Sequence, residues 1–154
     1  MRIAWLSLAL AVLVAQAPEG MAAGADNVSI ARRVFLEGVA SGNFANLRAL
    51  YAPDFVAHSA SLIYTLDQDL ASSSSWHEAM PNLTVKVERT VADRDMVAVH
   101  WQLIGKNTVA AAGMPGKGDL IGIEGMTFLR FAAGKIAEEW TVLDIATLRK
   151  QLGN

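Results

Sequence analysis

The sequence contains no cysteine, and this absence excludes several classes of protein. Without thiols there can be no disulfide framework, no thiolate nucleophile and no cysteine-ligated metal site. The chain also lacks a GxSxG nucleophile elbow, a glycine-rich phosphate loop and a dinucleotide-binding fingerprint. Serine hydrolases and nucleotide-dependent enzymes are therefore disfavoured.

A strong excess of charge is missing as well. The formal net charge is -2 and no Lys- or Arg-rich run occurs, so we do not expect nucleic acid or an anionic membrane surface as a partner. The three histidines, His58, His77 and His100, include no pair at HxH or HExxH spacing. We therefore expect no metal site.

The first 25 residues have the composition of a secretory signal peptide. Met1-Arg2 is a short basic start, and the uncharged apolar run Ile3–Ala17 is shorter than the ~20 residues that a membrane span needs. Two signal-peptidase sites of the small-x-small type are present, one ending at Ala17 and one at Ala25. Pro18 disfavours cleavage after Ala17. We predict a signal peptide over 1–25 and a single periplasmic or secreted domain over 26–154, with no membrane contact after cleavage; an uncleaved anchor is the alternative.

Apolar periodicity past residue 26 predicts helices first and strands afterwards. Helices are predicted over Val28–Val39 and Phe44–Tyr51, a strand over Phe55–His58, an irregular helix interrupted or solvated by serines within Ser59–Pro81, strands over Leu83–Val91, Met96–Ile104, Leu120–Phe131 and Lys135–Leu143, and a terminal helical turn over Asp144–Leu152. Helices followed by an antiparallel meander indicate an α+β fold in which the helices pack on one face of the sheet.

The last two strands form a predicted hairpin whose register assigns side chains to faces. A three-residue loop, Ala132-Ala133-Gly134, would place Phe131 opposite Lys135. One face then carries Glu124, Met126, Phe128, Arg130, Glu138, Trp140 and Asp144, and the other carries Ile123, Thr127, Leu129, Ala137, Thr141 and Leu143. Both faces are largely apolar, so alternation alone does not decide which one lines a cavity.

Several segments together resemble the SnoaL-like polyketide cyclase family of the nuclear transport factor 2-like superfamily. They are LYAPDFVAH at 50–58, MPNL at 80–83, VAVHW at 97–101, GMPGKG at 113–118, and the ending GKIAEEWTVLD…QLG from Gly134. The resemblance implies a cone-shaped α+β barrel, in which a curved antiparallel sheet, capped by about three N-terminal helices, encloses an apolar pocket. It further implies aldol-type ring closure without metal or cofactor.

The same resemblance nominates the site residues. Asp144 matches the acid/base aspartate of the family, and His58 is the second candidate for proton transfer. Substrate-binding candidates are Arg130, Trp140, Glu124, Met126, Phe128 and His100. Other interpretations stay open, because Asp144 could only cap the following helix and Arg130 could only pair with Glu138. The serines within Ser59–Ser75 depart from the family pattern at a region that shapes the pocket mouth.

The leading hypothesis is an exported, cofactor-independent acid/base enzyme, of the aldol-type cyclase, lyase or isomerase kind, acting on a small apolar or aromatic carbonyl compound. The alternative is a non-catalytic periplasmic pocket protein that binds such a ligand. Ketosteroid isomerase chemistry lacks its carboxylate base in Phe55–Ala60, and an epoxide hydrolase relay has only Arg130 and Asp144. We also expect a homodimer, since cones of this type commonly pair through the sheet.

Overall fold

Three α-helices and eight β-strands make up the part of the chain that this computed structural model describes, residues 19–59 and 62–153. The helices are α1 (Glu19–Arg33), α2 (Leu66–Ala79) and α3 (Ile145–Gln151), with a π-helical turn at Val34–Val39 and a 3₁₀ turn at Arg48–Leu50. The strands are β1 (Tyr51–Ser59), β2 (Leu62–Tyr64), β3 (Thr84–Asp93), β4 (Met96–Asn107), β5 (Ala110–Ala111), β6 (Met114–Pro115), β7 (Asp119–Ala132) and β8 (Lys135–Leu143).

Most of the predicted signal peptide, residues 1–18, lies outside the described residues. Helix α1 begins at Glu19 and runs through the predicted cleavage site after Ala25, so cleavage there would shorten it to Asp26–Arg33. Within the described residues, no helix combines the length and the apolar character that crossing a bilayer requires. Cleavage and export stay predictions.

Six strands form one curved sheet in the order β2-β1-β8-β7-β4-β3. The predicted α+β fold with helices packed on a curved sheet is confirmed. Two details differ from the expectation. The first strand lies parallel to the last, with His58 beside Trp140, so the sheet is mixed. The sheet also keeps two free edges, β2 and β3, and is not closed as a barrel.

The β7–β8 hairpin turns more tightly than predicted. Ala133 and Gly134 both have positive φ, 48° and 73°, which is the geometry of a two-residue type I′ turn, so the predicted three-residue loop is wrong. A bulge next to the turn then places Arg130 opposite Glu138 and Phe128 opposite Trp140. The shorter loop shifts the pairing register by one residue, and the bulge shifts it by one more. Every predicted pair is therefore displaced, but a total shift of two residues preserves the predicted division into two faces.

The core lies between the helices and the inner face of the sheet. Inward residues alternate along β4 and β7, where Val97, Val99, Trp101, Leu103, Ile121, Ile123 and Leu129 are at most 6% exposed. Val34 and Phe35 of the π-helical turn pack against them from the helical side. Burial of each such side chain stabilises the fold by about 1.5–3 kcal/mol, so this alternation fixes which face of every central strand points inward.

Helix α2 is continuous, which corrects the expectation of a helix interrupted by serines. It begins with a capping box: the Thr65 hydroxyl accepts the backbone N–H of Gln68, and the Gln68 side chain accepts that of Thr65. The His77 Nε2–H donates to the Val39 carbonyl at 2.6 Å. Both ends of α2 are therefore held, and one face is presented to the interior.

Helix α3 packs into the core through Leu148 and is hydrogen-bonded to the sheet by one amide side chain. The Gln151 side chain accepts the backbone N–H of Gly122 at 2.7 Å and donates to the carbonyl of the same residue at 2.8 Å. Pairing between β7 and β8 extends only to Gly125 and Leu143, so Gly122 has no β8 neighbour. Gln151 thus supplies the two hydrogen bonds that a further strand residue would have made.

Replacing Gln151 with alanine is expected to lower the free energy of unfolding by about 2 kcal/mol. The change leaves a partly buried N–H and carbonyl of Gly122 without partners, and an unmade hydrogen bond costs roughly 1–3 kcal/mol. Urea denaturation followed by circular dichroism measures the effect. Lys150→Ala, at the exposed neighbouring position, is the control; equal stability of the two variants would contradict the bridging role of Gln151.

Candidate functional site

A cavity of about 170 Å³ lies between the helical layer and the inner face of the sheet. Its walls come from the π-helical turn, α2, β1 and the three central strands. The lining residues are Val34, Phe35, Val39, Phe44, Tyr51, Ala57, His58, Ser59, Tyr64, Asp69, Ser72, Ser73, Trp76, Trp101, Leu103, Ile123, Thr127, Glu139, Thr141 and Leu143. The cavity is therefore mainly aromatic and aliphatic, with a small set of polar groups.

Aromatic side chains form the largest apolar surface of the cavity. The Trp101 ring lies 5.8 Å from that of Phe35, centroid to centroid. Trp101 pairs across the strands with Gly125, where a Cβ atom would lie 2.5 Å from the indole carbon Cζ2. Only glycine at that position leaves room for the ring, so Gly125 allows the Trp101 indole to pack directly over the backbone of β7.

Two carboxyl groups face this apolar space from opposite walls. Glu139 comes from β8 and Asp69 from α2. Desolvation, together with the negative charge of Asp69, raises the pKa of Glu139 to about 8. Desolvation also raises the pKa of Asp69, to about 6. At neutral pH the cavity therefore holds one protonated and one ionised carboxyl group.

Tyr51 adds a neutral donor near these acids. Burial raises the pKa of its phenol well above the usual 10, and the charges of Glu139 and Asp69 add to this effect. Its ring packs edge-on against Phe55, with centroids 5.0 Å apart. The Tyr51 hydroxyl is therefore protonated throughout the physiological range.

The Glu139 carboxyl is held from the sheet side by hydroxyl groups. Thr141 Oγ1 donates to Glu139 Oε1 at 2.7 Å, and Thr127 Oγ1 lies 2.8 Å from Thr141 Oγ1. The Trp101 indole N–H donates to Thr127 Oγ1 at 3.0 Å. The acid group thus has a supported position.

Asp144, nominated as the acid/base, does not line this cavity. It is the exposed N-cap of α3, and its carboxylate accepts the backbone N–H of Thr147 at 3.0 Å. That hydrogen bond holds the pKa of Asp144 below its usual value, the opposite of what a general acid at neutral pH needs. The geometry gives Asp144 a capping role.

The nominated substrate-binding residues lie on the outer face of the sheet. The hairpin candidates share one face, as predicted, and the β4 candidate lies on it too. That face points away from the helices, and none of the six lines the cavity: Arg130, Trp140, Glu124, Met126, Phe128 and His100. The helices cover the other face because odd-numbered residues of β4 and β7 provide the buried side chains. These candidates therefore lie on the sheet surface opposite the cavity.

His58 touches both environments. It is among the residues that line the cavity, but its ring stacks on Trp140, with centroids 4.8 Å apart and planes 3° from parallel. His58 Nε2 lies 3.1 Å from Glu138 Oε2, and the Arg130 Nε–H donates to Glu138 Oε1 at 2.8 Å. These hydrogen bonds hold the pKa of Glu138 below its usual value. The nominated Arg130 is thus engaged in an ion pair on the outer surface.

Sequence reasoning missed Asp69, Ser72, Ser73 and Glu139 as site residues. Helical periodicity could have found the first three, because Asp69, Ser72, Ser73 and Trp76 have the i, i+3, i+4, i+7 spacing of one helix face. Glu139 belongs to the other predicted hairpin face, the one that carries Thr127 and Thr141. The described residues contain no group of three or more His, Asp or Glu able to hold a metal ion, and the expected absence of a metal site stays a prediction.

Comparisons with known proteins agree with this architecture. A family model described as SnoaL-like polyketide cyclase matches residues 29–152. AclR from Streptomyces galilaeus, a proposed hydroxylase, is 20% identical with a TM-score of 0.76, over 84% of this chain and 97% of that one. A proposed SnoaL-like polyketide cyclase from Jannaschia sp. CCS1 is 22% identical, with a TM-score of 0.73 and coverages of 84% and 92%.

IdmH from Streptomyces antibioticus, a proposed polyketide cyclase, is 25% identical, with a TM-score of 0.72 over 83% of this chain and 99% of that one. No curated protein matches the chain significantly. The structural similarity covers 83–84% of this chain, and at these identities it supports the fold.

The stability of the protein is expected to fall as the pH rises from about 4 to about 8. Asp69 and Glu139 have pKa values of about 6 and about 8 in the folded chain, against 3.8 and 4.5 ordinarily. Their contribution is complete below the ordinary values and is lost as the pH rises through the folded ones. Glu139→Gln should flatten this decline by several degrees in Tm, measured by thermal denaturation across the range.

Glu78→Gln is the matched control, since Glu78 is an exposed acid on α2 and its removal changes the net charge equally. It should keep the wild-type slope. A Glu139→Gln variant with the wild-type slope would show that Glu139 is not held with a raised pKa.

Proposed function

Because the chain belongs to the SnoaL-like polyketide cyclase family, we propose that it is a cofactor-independent acid/base enzyme that enolises a small neutral carbonyl compound in this cavity. The observation that carries the proposal is the pair of carboxyl groups, Asp69 and Glu139, facing one apolar cavity with raised pKa values. Charged groups rarely remain in such a place without a role, because desolvating them is costly.

The two pKa values assign different roles to the two acids. Asp69, with the lower value, is the base that takes the proton next to the substrate carbonyl. Glu139, with the higher value, is protonated at neutral pH and donates its proton to the carbonyl oxygen as the enolate forms. A pair of carboxyl groups whose environments separate their pKa values is a recurrent way to obtain an acid and a base at one site. The enol can then attack a second carbonyl, as in an aldol cyclisation, or be reprotonated, as in an isomerisation.

The cavity supports a small and uncharged substrate. Its volume of about 170 Å³ is close to the ~150 Å³ of an engineered cavity that binds benzene, so the reacting part is about one ring in size. No Lys or Arg is among the described lining residues, and the two acids would repel an anion. The hydroxyls of Ser72 and Ser73, on the same helix face as Asp69, suit a carbonyl or hydroxyl oxygen on the substrate.

The alternative of an exported, non-catalytic pocket protein rests on the same aromatic walls. Phe35, Phe44 and Trp76 would bind an apolar ring whether or not it reacts. The two proposals differ in whether the two acids transfer protons. Enolisation of a bound ketone, the first step of the proposed reaction, can distinguish the enzyme from the pocket protein. Export itself remains part of the proposal for either function.

Cyclohexanone is a suitable probe, and its enolisation can be followed by proton NMR as deuterium replaces hydrogen next to the carbonyl in D₂O. The wild-type protein is expected to accelerate this exchange. Glu139→Gln and Asp69→Asn should each reduce the accelerated rate ~100-fold, the usual worth of a general acid or base. Trp76 and Trp101 line the cavity, so quenching of tryptophan fluorescence reports binding of the same ketone independently.

Glu78→Gln serves again as the control and should exchange at the wild-type rate. Quenching without accelerated exchange would support the pocket protein and overturn the enzyme. Unchanged exchange in both acid variants would show that the reaction does not use this pair.

For the homodimer we propose the outer face of the hairpin as the contact. Met126 lies opposite Val142, and Phe128 lies opposite Trp140. The side chains of Met126, Val142 and Phe128 are 43–65% exposed. An exposed apolar group of this kind is typical of an interaction surface. The nearby pair of Arg130 and Glu138 provides both signs of charge, which a second copy of the same surface can complement.

Phe128→Glu is expected to convert a dimer into a monomer, because it places a charge in the apolar centre of this surface. Light scattering during size-exclusion chromatography measures the mass. Leu36→Glu, at an exposed apolar position on the helical side, should leave the dimer intact. A wild-type protein that is monomeric at high concentration, or a dimeric Phe128→Glu variant, would refute this contact.

A further inference from the structure

We propose that Trp101, Thr127 and Thr141 form a one-directional hydrogen-bond chain that keeps Glu139 Oε1 an acceptor and leaves Oε2 as the oxygen that carries the proton. The chain runs over three consecutive links of 3.0, 2.8 and 2.7 Å, from the indole nitrogen to the carboxyl. This inference rests on the acid/base function proposed above, and it assigns Thr127 and Thr141 as positioning residues for Glu139.

The direction of the chain follows from its first member. An indole N–H can only donate, so Thr127 Oγ1 must accept from Trp101. Thr141 has one hydroxyl proton and gives it to Glu139 Oε1. Thr127 must therefore use its own proton for the link to Thr141, and every hydroxyl in the chain is satisfied.

The opposite direction leaves one threonine proton without an acceptor. If Glu139 carried its proton on Oε1 and donated to Thr141, Thr141 would either donate to Thr127 or accept from both Glu139 and Thr127. In the first case the proton of Thr127, which is 1% exposed, has no acceptor, because its hydroxyl partners among the described residues are Trp101 and Thr141. In the second case the proton of Thr141 has none, because its partners there are Thr127 and Glu139. Buried donors without acceptors are rare.

Oε2 of Glu139 is the oxygen left available for the substrate. Among the described residues it makes no hydrogen bond, and no buried side-chain oxygen lacks a partner there. Oε2 is therefore accessible to the cavity rather than sealed in the core. A proton held on Oε2 is in position to be donated, whereas one on Oε1 would be directed into the sheet.

The support is rigid because it belongs to the centre of the sheet. Thr127 and Thr141 are direct cross-strand partners on β7 and β8, and Trp101 comes from the adjacent β4. Gly125 admits the indole where any side chain would collide with it. The chain thus sets the carboxyl orientation through backbone register and not through flexible side chains.

Other titratable groups line the cavity around Glu139. Asp69 faces it from α2, Tyr51 and His58 line the same cavity from β1, and Tyr64 does so from β2. Of these, Asp69 raises the pKa of Glu139, whereas the Thr141 hydrogen bond lowers it. The contribution of Thr141 can therefore be measured separately.

The test is a carbon-13 NMR titration of the Glu139 carboxyl in protein with labelled glutamate, with the signal assigned by its loss in Glu139→Gln. Thr141→Val removes the hydroxyl at nearly constant volume and is expected to raise the Glu139 pKa by about one unit. Thr127→Val should raise it by less, because Thr141 keeps its proton but loses its fixed direction. In the cyclohexanone exchange, both variants should lower kcat and leave KM near the wild-type value.

Thr141→Ser keeps the hydroxyl and should restore both the pKa and kcat. Thr84→Val, at the exposed sheet edge, should change neither. If a valine variant does not fold, Trp101→Phe tests the first link, since it removes the N–H and keeps a ring beside Phe35. A Glu139 pKa that is the same in every folded variant would refute the proposed hydrogen-bond chain.

The titration needs no turnover, so the two proposals can fail separately. If Glu139→Gln loses the exchange activity but the threonine substitutions leave the Glu139 pKa unchanged, the hydrogen-bond chain is refuted and the acid/base function is not. A responsive pKa in a protein that never accelerates exchange would keep the chain and refute the acid/base function.

Discussion

The alternation of side chains along β7 and β8, fixed by packing of the helices on one face of the sheet, is the constraint on which the rest of the site depends. A slip of one residue would move Trp140 inward and Glu139 outward. The tight turn at Ala133-Gly134 and the bulge beside it each shift the register, and together they preserve the parity that keeps Glu139 inside. The chemistry of the cavity is therefore determined by backbone geometry before any side chain is placed.

Adjacent glutamates on β8 illustrate how strongly this constraint acts. Glu138 points outward, receives hydrogen bonds from Arg130 and His58, and has a lowered pKa. Glu139 points inward, is desolvated beside another acid, and has a pKa raised to about 8. Identical side chains one residue apart thus differ in protonation at neutral pH, because the local dielectric and the nearby charges differ.

Helix and strand positions were predictable from periodicity, whereas the identity of the inner face was not. The strands β3, β4, β7 and β8 and the helix through Val39 follow the predicted segments, because apolar spacing at 2 and 3.6 residues encodes them directly. The hairpin faces could not be ranked, since Met126 and Phe128 are as apolar outside as Ile123 and Leu129 are inside. Which face the helices cover is a tertiary property. The short helix predicted over Phe44–Tyr51 shrank to Arg48–Leu50 because Tyr51 begins β1.

The part of the family-like C-terminal segment that follows β8, from Asp144 to Gln151, stabilises the end of this fold. Asp144 caps α3, whereas Gln151 occupies the edge of β7 at Gly122 and holds the last helix against the sheet. Resemblance at these positions identifies the scaffold. The two acids that line the cavity are Asp69 on α2 and Glu139, which lies earlier in the same C-terminal segment, on β8, and is supported by Thr141. The proposed acid/base site thus takes its two acids from one helix and one strand. The small volume enclosed by Phe35, Trp76 and Trp101 would then set which carbonyl compound reaches the acids.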